Sequence, residues 1–334
     1  MTYNKIDFNN KTILITGGAG FIGSNLAFYF EDNYPQANVV VFDCFRNEGI
    51  LSNGNPLSFG HYKNLIGFTG EVICGNINIK AELALLNDYK FDYIFHQAAI
   101  SDTRLYDQKI ILQTNVNSFY DLLDIAKKNN SVVVYAGSAA TYGNLPSPQT
   151  VGKEYPENPY GFSKYVMDQV ACRFSKDNPE MVISGLRYFN VYGSREYYKG
   201  KTASMVIQLG HQILDYKAPR LFEGSDLIVR DFINIEDAIQ ANIKACNPKK
   251  NGTYNVGTGN PRSFQGIADI LQVELGTNLG TEYFPNPYGG YQTHTQADIS
   301  STRENLGFEP KISLEEGIKT YIPEIKRHHG EDIS

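Results

Sequence analysis

Short apolar runs rich in β-branched residues recur through the first half of the chain, and stretches with helical patterning separate them. The runs are KTILITG (11–17), NVVVFD (38–43), EVICGNI (71–77), FDYIFHQA (91–98) and SVVVYAGS (131–138). Their apolar residues are consecutive rather than alternating, which is typical of strands buried on both faces. Because helices between such strands cover a parallel sheet, the pattern predicts a doubly wound α/β fold with a parallel (Rossmann) sheet.

The composition narrows the classes of function. The 334 residues carry a formal charge of −6, whereas nucleic-acid-binding surfaces are usually basic. No apolar run approaches the roughly 20 residues that a membrane-spanning helix needs, and the polar N-terminus lacks the apolar core of a signal peptide. Four cysteines without a CxxC pair and six dispersed histidines indicate reduced thiols and no metal site. We therefore expect a cytoplasmic protein that binds no nucleic acid, membrane or metal.

Three glycines, Gly17, Gly20 and Gly23, lie between the first predicted strand and a helix that begins near Phe21. Glycines at this spacing allow a tight turn, the close approach of a pyrophosphate and close packing of helix on strand. The free N–H groups of the helix N-terminus then face the phosphates. Asp43 ends the second strand 20 residues after Gly23, where an acid can bind a ribose hydroxyl. The turn therefore predicts a dinucleotide site.

The residues after the second strand leave the choice of dinucleotide open. Asp43 favours the free 2′-hydroxyl of NAD and repels the 2′-phosphate of NADP. Arg46 can pair with that phosphate through two hydrogen bonds. Alternatively, Arg46 is a solvated charge in the Asn/Gly/Ser-rich segment 46–64, which we expect to be a loop.

The second half of the chain continues the strand–helix pattern less regularly. Segment 182–193 has the composition of a further strand and its exit. Segment 252–259 is typical of a strand that returns to the sheet, and segment 232–246 is typical of a helix that covers the sheet. The remaining residues are rich in Gly, Pro and Tyr, which favours a smaller, loop-built lobe. The expected division is a nucleotide-binding domain over 1–185, with returns near 186–193 and 232–259, and a substrate-binding lobe formed by 194–231 and 260–330.

The stretch NPYGFSKYVMD (158–168) places Tyr160 four residues before Lys164, so that in a helix both side chains lie on one face. That spacing alone is more typical of a surface tyrosine packed on a lysine side chain than of a catalytic pair. Ser138, however, ends a predicted strand at the sheet's carboxyl edge, where doubly wound folds bind ligands. We expect Lys164 to lower the pKa of the Tyr160 phenol from about 10. Tyr160 can then take a hydroxyl proton as hydride leaves the same carbon, while Ser138 holds the substrate oxygen.

These motifs together resemble the extended short-chain dehydrogenase/reductase family of nucleotide-sugar enzymes. Later segments resemble the ADP-heptose 6-epimerase branch of that family: RYFNVYGSREYYKGKTASM (187–205), RLFEGSDLIVRDFINIED (220–237), YNVGTGNPRSF (254–264) and YQTHTQADI (291–299). The resemblance implies an isomerase that uses bound NADP to invert C6″ of an ADP-linked heptose. It also implies a homo-oligomer that supplies heptose for the lipopolysaccharide core.

The resemblance assigns roles to residues throughout the chain. Besides the three glycines, Asp43 and Arg46, it implies that the cofactor is bound by Phe21, Ile22, Gln97, Ala98, Ala99, Ser101, Asn115, Lys164 and Val191. For the substrate it implies Asn190, Lys199, Phe222, Glu223, Gly224, Ser225, Arg230 and Tyr291. Lys201 and Gln208 occupy two further substrate positions at which the family commonly has Ser and His.

The resemblance also implies that Tyr160 and Lys199 share the proton transfers. C6″ lies outside the sugar ring, so rotation about C5″–C6″ presents its opposite face to the returning hydride. That rotation moves the oxygen, and Lys199 must be buried enough to be neutral part of the time. Alternatively, Lys199 only binds a phosphate or a hydroxyl group. Two other functions remain open: another nucleotide-sugar epimerase or reductase, and a non-catalytic NAD(P)-binding sensor.

Overall fold

A computed structural model describes residues 6–287 and 292–331 of the chain. Its strands are β1 Thr12–Thr16, β2 Asn38–Asp43, β3 Glu71–Cys74, β4 Tyr93–His96, β5 Val132–Ser138, β6 Ile183–Tyr188, β7 Asn190–Tyr192, β8 Arg220–Phe222, β9 Val229–Arg230, β10 Phe232–Asn234, β11 Gly252–Val256, β12 Arg262–Ser263 and β13 Glu282–Phe284. Its helices are α1 Phe21–Asn33, α2 Lys80–Leu83, α3 Gln108–Leu112, α4 Ser118–Asn129, α5 Pro159–Asp177, α6 Met205–Leu214, α7 Ile235–Lys244, α8 Phe264–Leu275, α9 Ser300–Leu306 and α10 Leu314–His328.

Seven strands form one parallel sheet in the order β11-β6-β5-β4-β1-β2-β3. The prediction of a doubly wound α/β fold is confirmed. The order reverses between β1 and β4, which pair in parallel from Ile13 opposite Tyr93 to Thr16 opposite His96. In open sheets of this kind the crevice outside such a reversal point is where ligands bind.

The central strands are apolar throughout because helices cover both faces of the sheet. In β1, Ile13 and Ile15 face a cluster that includes Phe30 of α1 and Ile239 of α7. Leu14, between them, faces the opposite cluster, with Met167 of α5. Successive strand residues point to opposite faces, so burial of both faces requires an uninterrupted apolar run.

The second half of the chain adds to the sheet and extends beyond it. The predicted strand 182–193 is two strands: β6 lies within the sheet, and β7 leaves it to pair in parallel with β10. Segment 252–259 supplies β11 at the sheet edge, as expected. Segment 232–246 begins as β10 and continues as α7. The domain boundaries proposed from the sequence stay a prediction.

Three helices of the second half, α6, α8 and α10, form a separate apolar cluster. Their buried side chains include Val206, Leu271 and Ile325. Gly210 of α6 allows close packing here, because a Cβ at this position would lie 2.9 Å from an Ile325 methyl carbon. The cluster supports the segment between β7 and α6, which reaches the carboxyl edge of the sheet.

Neither membrane-spanning nor metal-binding features occur in the part of the chain that the structure describes. None of its helices has the length and apolar character required to cross a bilayer. Within residues 6–287 and 292–331, no group of three or more His, Cys, Asp or Glu side chains is placed to hold a metal ion. The four cysteines are free thiols.

Candidate active site

A cavity of about 990 Å³ lies at the carboxyl edge of the sheet. Residues at the ends of β1 to β6 all contribute to its wall, and residues before α6 close it from the other side. Its volume is at the upper end of the range for small-molecule and cofactor sites. The cavity is therefore large enough to hold a dinucleotide and part of a second ligand.

The glycine turn between β1 and α1 brings the backbone to the cavity wall. Gly17 has a φ of +69°, and a Cβ there would lie 2.6 Å from the Ala98 amide nitrogen. A Cβ on Gly23 would lie 2.2 Å from the Gly17 carbonyl oxygen, so glycine is required for this helix–strand packing. Gly20 precedes α1 without a capping side chain, which leaves the first N–H groups of the helix, at Phe21 and beyond, available to a phosphate.

Asp43 lies at the end of β2, as predicted, and is buried. Its carboxylate accepts hydrogen bonds from the N–H groups of Ala19 at 3.0 Å and Phe45 at 2.8 Å. Burial raises the pKa of the Asp43 carboxyl group, and both hydrogen bonds oppose that rise. Gly60 packs against it, since a Cβ there would lie 2.1 Å from Asp43 Oδ1. The carboxylate thus joins the glycine turn, β2 and the long loop at the expected ribose position.

Arg46 is placed differently from the 2′-phosphate partner that we expected. Its guanidinium donates a hydrogen bond to the backbone carbonyl of Tyr198, and burial lowers its pKa. Phe45, just before it, has a φ of +52° and redirects the chain after β2. Arg46 therefore braces the segment next to Lys199 instead of contributing to the cavity wall.

Gln97, Ala98, Ala99 and Ser101 line the cavity after β4, as the resemblance implies, and so does Val191 of β7. Asn115 does not join them, although a cofactor contact was expected. Its Nδ2 donates to the Ile100 carbonyl and to Ser163 Oγ, both at 2.9 Å, and its Oδ1 accepts from the Ile100 N–H at 2.9 Å. With its amide group engaged in this way, Asn115 supports the cavity wall from behind.

Helix α5 positions Tyr160 and Lys164. Asn158 caps the helix by accepting a hydrogen bond from the Gly161 N–H at 2.8 Å, and Pro159 has the φ that a first helical residue needs. Both predicted side chains line the cavity together with Ser138. Burial raises the pKa of the Tyr160 phenol, and a hydrogen bond with Ser138 opposes the rise.

Lys164 acts on its surroundings differently from the prediction. Its Nζ donates to the Ala136 carbonyl oxygen at 2.7 Å, and burial lowers its pKa to about 8, opposed by the charge of Asp168. The expectation that Lys164 lowers the pKa of Tyr160 is wrong for this structure, in which that pKa is raised by burial. The ammonium is directed at a strand carbonyl, so burial dominates at the phenol.

Lys199 reaches the same cavity from a 3-10 helix, Tyr197–Thr202, that precedes α6. Its ammonium lies 5.5 Å from the centroid of the Phe21 ring in the glycine turn. Burial lowers the pKa of Lys199, and the charge of Glu196 opposes that change. Burial therefore makes this amine release its proton more readily than a solvated lysine does.

The residues expected to bind substrate separate into two groups. Asn190 and Arg230 line the cavity with Lys199. The Arg230 guanidinium donates to the Val229 carbonyl at 2.9 Å and to the Gln292 carbonyl, which fixes its direction. Tyr291 lies outside the described residues.

The second group is placed away from the cavity wall: Lys201, Gln208, Phe222, Glu223, Gly224 and Ser225. Gln208 Nε2 donates to the Ala203 carbonyl at 2.6 Å, and Lys201 is exposed. The Phe222 ring packs edge-on against Phe284 at 5.0 Å between centroids, because β8 pairs with β13. Substrate contacts by these residues stay predictions.

Several residues of the cavity wall were not predicted from the sequence: Ser58, Phe59, Gly75, Asn76, Ile77, Ser204 and Met205. A signal existed for those after β3, because β3 pairs in parallel with β2 and its exit must lie beside Asp43. The loop residues had none. Their position depends on long-range contacts such as Asp102, whose carboxylate accepts from the Asn53 amide at 2.7 Å.

Comparisons with known proteins agree with this arrangement. The family model described as "NAD dependent epimerase/dehydratase family" matches residues 13–257, which span the glycine turn, Ser138, Tyr160 and Lys199. The chain belongs to the NAD dependent epimerase/dehydratase family. The glycine turn and Asp43 have the geometry that a dinucleotide needs. The cavity is therefore a site for a nicotinamide dinucleotide, the class of cofactor to which the family name refers.

Individual relatives cover nearly the whole chain. A curated ADP-L-glycero-D-manno-heptose-6-epimerase of Brachyspira hyodysenteriae is 35% identical over 325 residues, 95% of this chain and 99% of its own length. The crystal structure of Helicobacter pylori ADP-L-glycero-D-manno-heptose-6-epimerase is 48% identical, with a TM-score of 0.89 over 98% of this chain and 99% of that one. Bacillus cereus UDP-glucuronic acid 4-epimerase, solved with NAD, is 26% identical, with a TM-score of 0.79 over 95% and 99%.

Proposed function

We propose that this protein is an ADP-heptose 6-epimerase. It interconverts ADP-D-glycero-D-manno-heptose and ADP-L-glycero-D-manno-heptose by transient oxidation at C6″. The observation that carries the proposal is that one cavity receives two proton-transfer groups from separate parts of the chain, the Tyr160 phenol from α5 and the Lys199 amine from the segment before α6. The similarity to the Helicobacter pylori enzyme supports the choice of substrate.

When bound, the nicotinamide supplies the hydride acceptor and donor that the inversion requires. Tyr160 removes the C6″ hydroxyl proton as the hydride leaves, and the Ser138 hydroxyl orients that oxygen. An oxidised nicotinamide bound in this cavity would carry a positive charge, and a nearby cation favours the phenolate form of Tyr160. Lys164 is bonded to the Ala136 carbonyl and anchors α5, which carries Tyr160, to β5.

A second group is needed after the sugar turns. Rotation about C5″–C6″ presents the other face of the ketone to the returning hydride and swings its oxygen away from Tyr160. Lys199 then exchanges the proton with that oxygen, and burial, which lowers its pKa, makes the amine release its proton more readily than a solvated lysine. Asn190 and Arg230, which line the same cavity, bind the sugar nucleotide in this proposal.

The geometry favours NAD over the NADP that the resemblance implies. Asp43 has a carboxylate at the ribose position, and it repels a 2′-phosphate. Arg46, the residue expected to neutralise that phosphate, donates to the Tyr198 carbonyl. NADP is the alternative, and it requires Arg46 to exchange this bond for the phosphate. A cytoplasmic location, a homo-oligomeric state and a role in lipopolysaccharide core synthesis complete the proposal.

A direct assay tests this function. We expect the purified protein to convert ADP-D-glycero-D-manno-heptose into its 6″ epimer without net consumption of reduced nicotinamide, because each hydride returns to the carbon it left. Proton NMR of the sugar follows the inversion, and chromatography of the denatured protein identifies the released dinucleotide. Steady consumption of reduced cofactor would indicate a reductase, and inversion of UDP-linked sugars alone would indicate a different epimerase.

A further inference from the structure

A buried carboxylate lies three residues before Lys199. Glu196 has 0% of its surface exposed. Its carboxylate accepts hydrogen bonds from the Gly193 N–H at 3.2 Å, the Ser204 N–H at 2.8 Å and the Ser204 hydroxyl at 2.7 Å. Its backbone carbonyl accepts from the Lys199 N–H at 3.0 Å. Glu196 therefore joins both ends of the segment 193–204 that presents Lys199 to the cavity.

The charges around Glu196 come from three elements. Lys199 is the cation that acts on it, and burial raises the pKa of Glu196 against that attraction. Two buried phenols, Tyr192 of β7 and Tyr321 of α10, have their pKa values raised in part by the Glu196 charge. Glu324 of α10 also faces Tyr321. Lys199 is thus the group whose charge balances the carboxylate.

A neutral hydrogen-bonding side chain at position 196 would be sufficient if its only role were to join the two ends of the segment 193–204. Burying an ionised carboxylate costs several kcal/mol unless charges or hydrogen bonds compensate it. A lysine taken out of water, in turn, loses its proton and becomes a weak base at working pH unless an anion is near. The opposite charges of Glu196 and Lys199 each reduce the free-energy cost of burying the other charge, and both side chains belong to one short segment.

We propose that Glu196 is the positioning residue for Lys199. Its carboxylate fixes the loop that carries the amine, and its negative charge, three residues away in the same segment, favours the protonated form of that amine. The proposal rests on the proton-transfer role of Lys199 in the proposed function. It adds that this role depends on a residue that is itself sealed from the cavity.

The test measures the proton affinity of Lys199 itself. Purified protein is treated with trace acetic anhydride across a pH series, and mass spectrometry of the Lys199 peptide gives the pH at which the amine becomes reactive. In Glu196→Gln we expect this midpoint to fall by about one pH unit or more, as removal of a nearby opposite charge does. Turnover at pH 7.5 should fall about tenfold or more, with a smaller change in KM.

Ser204→Ala is the matched control, because it removes one hydrogen bond to Glu196 and keeps the charge. We expect its Lys199 midpoint to stay within about 0.3 unit of the parent protein, far below the shift that loss of a charge causes. Circular dichroism and dinucleotide content establish that each variant is folded. An unchanged midpoint in folded Glu196→Gln, or an equal shift in Ser204→Ala, would overturn the proposal.

A reciprocal variant covers the case in which Glu196→Gln does not fold. Lys199→Met removes a side chain that faces the cavity, and 13C NMR of labelled glutamate carboxyl groups follows Glu196. Its titration should move to higher pH once the cation is gone, and an unmoved titration contradicts the coupling. Full epimerase activity in Lys199→Met would contradict the two-base mechanism. The electrostatic coupling between Glu196 and Lys199 is tested independently by the NMR titration.

Discussion

Lys164 holds a positive charge where little water is left to solvate it. Its pKa is about 8 in the folded chain against an ordinary 10.5. The unfolded chain therefore binds more protons between these values, and the stability of the fold rises with pH across that window. Below pH 8 the charged lysine lowers the free energy of unfolding by its full amount, roughly 3 kcal/mol for a pKa shift of this size. A charged lysine at this position therefore destabilises the fold at neutral pH.

Replacement of this residue gives a prediction with a definite sign. We expect Lys164→Met to be more stable at pH 7 by about 2 kcal/mol, since the lost bond to the Ala136 carbonyl returns about 1 kcal/mol of the gain. The gain should shrink as pH rises from 8 to 10.5, and turnover should fall. Urea titrations at pH 7 and pH 10 measure both values. A variant that is less stable at pH 7 would contradict the burial argument.

Tyr160 offers a second test at the level of a single atom. Tyr160→Phe removes the hydroxyl that transfers the proton, and we expect kcat to fall by about 10² to 10⁴ while the bound dinucleotide is retained. Tyr165→Phe, on the same helix, is the control and should turn over normally. Retention of activity by Tyr160→Phe would exclude the phenol as the acid–base group.

At the level of elements, a buried ion pair joins β6 to α5. Arg187 is 2% exposed, and its guanidinium binds Asp168 at 2.7 Å and Glu154 at 2.5 Å. The Asp168 carboxylate also accepts a hydrogen bond from the Tyr135 hydroxyl at 2.8 Å. The network holds the helix that carries Tyr160 and Lys164 against the sheet.

Removal of the cation from this network should be costly. We expect Arg187→Leu to lose about 3–5 kcal/mol of unfolding free energy, because two carboxylates are left without it. The loss should shrink as pH falls, since burial already raises the pKa of Asp168 and protonation removes its charge. Arg303→Leu, which breaks an exposed pair with Glu309 at 2.8 Å, should cost less than about 1 kcal/mol. Equal losses in urea titrations of the two variants would refute the argument.

The strands could be predicted where burial alone determines the sequence. The run 38–43 coincides with β2 because every residue after the first is buried. The strand expected within 182–193 is β6, but its exit contains a second strand that was not predicted: β7 follows Phe189 and pairs with β10, 42 positions further along the chain from Asn190 to Phe232. A local run of apolar residues predicts that a segment is extended and buried, but it does not predict which strand pairs with that segment.

Across the whole molecule, site residues next to strand ends could be predicted, and residues defined by distant contacts could not. Ser138 and Asp43 follow from the rule that parallel strands end at one edge. Arg46 and Asn115 were expected to bind the cofactor; in this structure they donate hydrogen bonds to the carbonyls of Tyr198 and Ile100, and their cofactor contacts stay predictions. Their roles depend on which backbone groups the fold brings within reach, and sequence spacing carries no record of that.

The central claim is that one carbon loses and regains the same hydride within a single cavity. The most direct measurement uses ADP-D-glycero-D-manno-heptose that carries deuterium at C6″, incubated with the protein in ordinary water. We predict that the inverted product keeps its deuterium at C6″, as followed by NMR and mass spectrometry, because the hydride never exchanges with solvent. An inverted product with hydrogen from water at C6″ would show that the carbon is deprotonated and reprotonated instead, which contradicts the account.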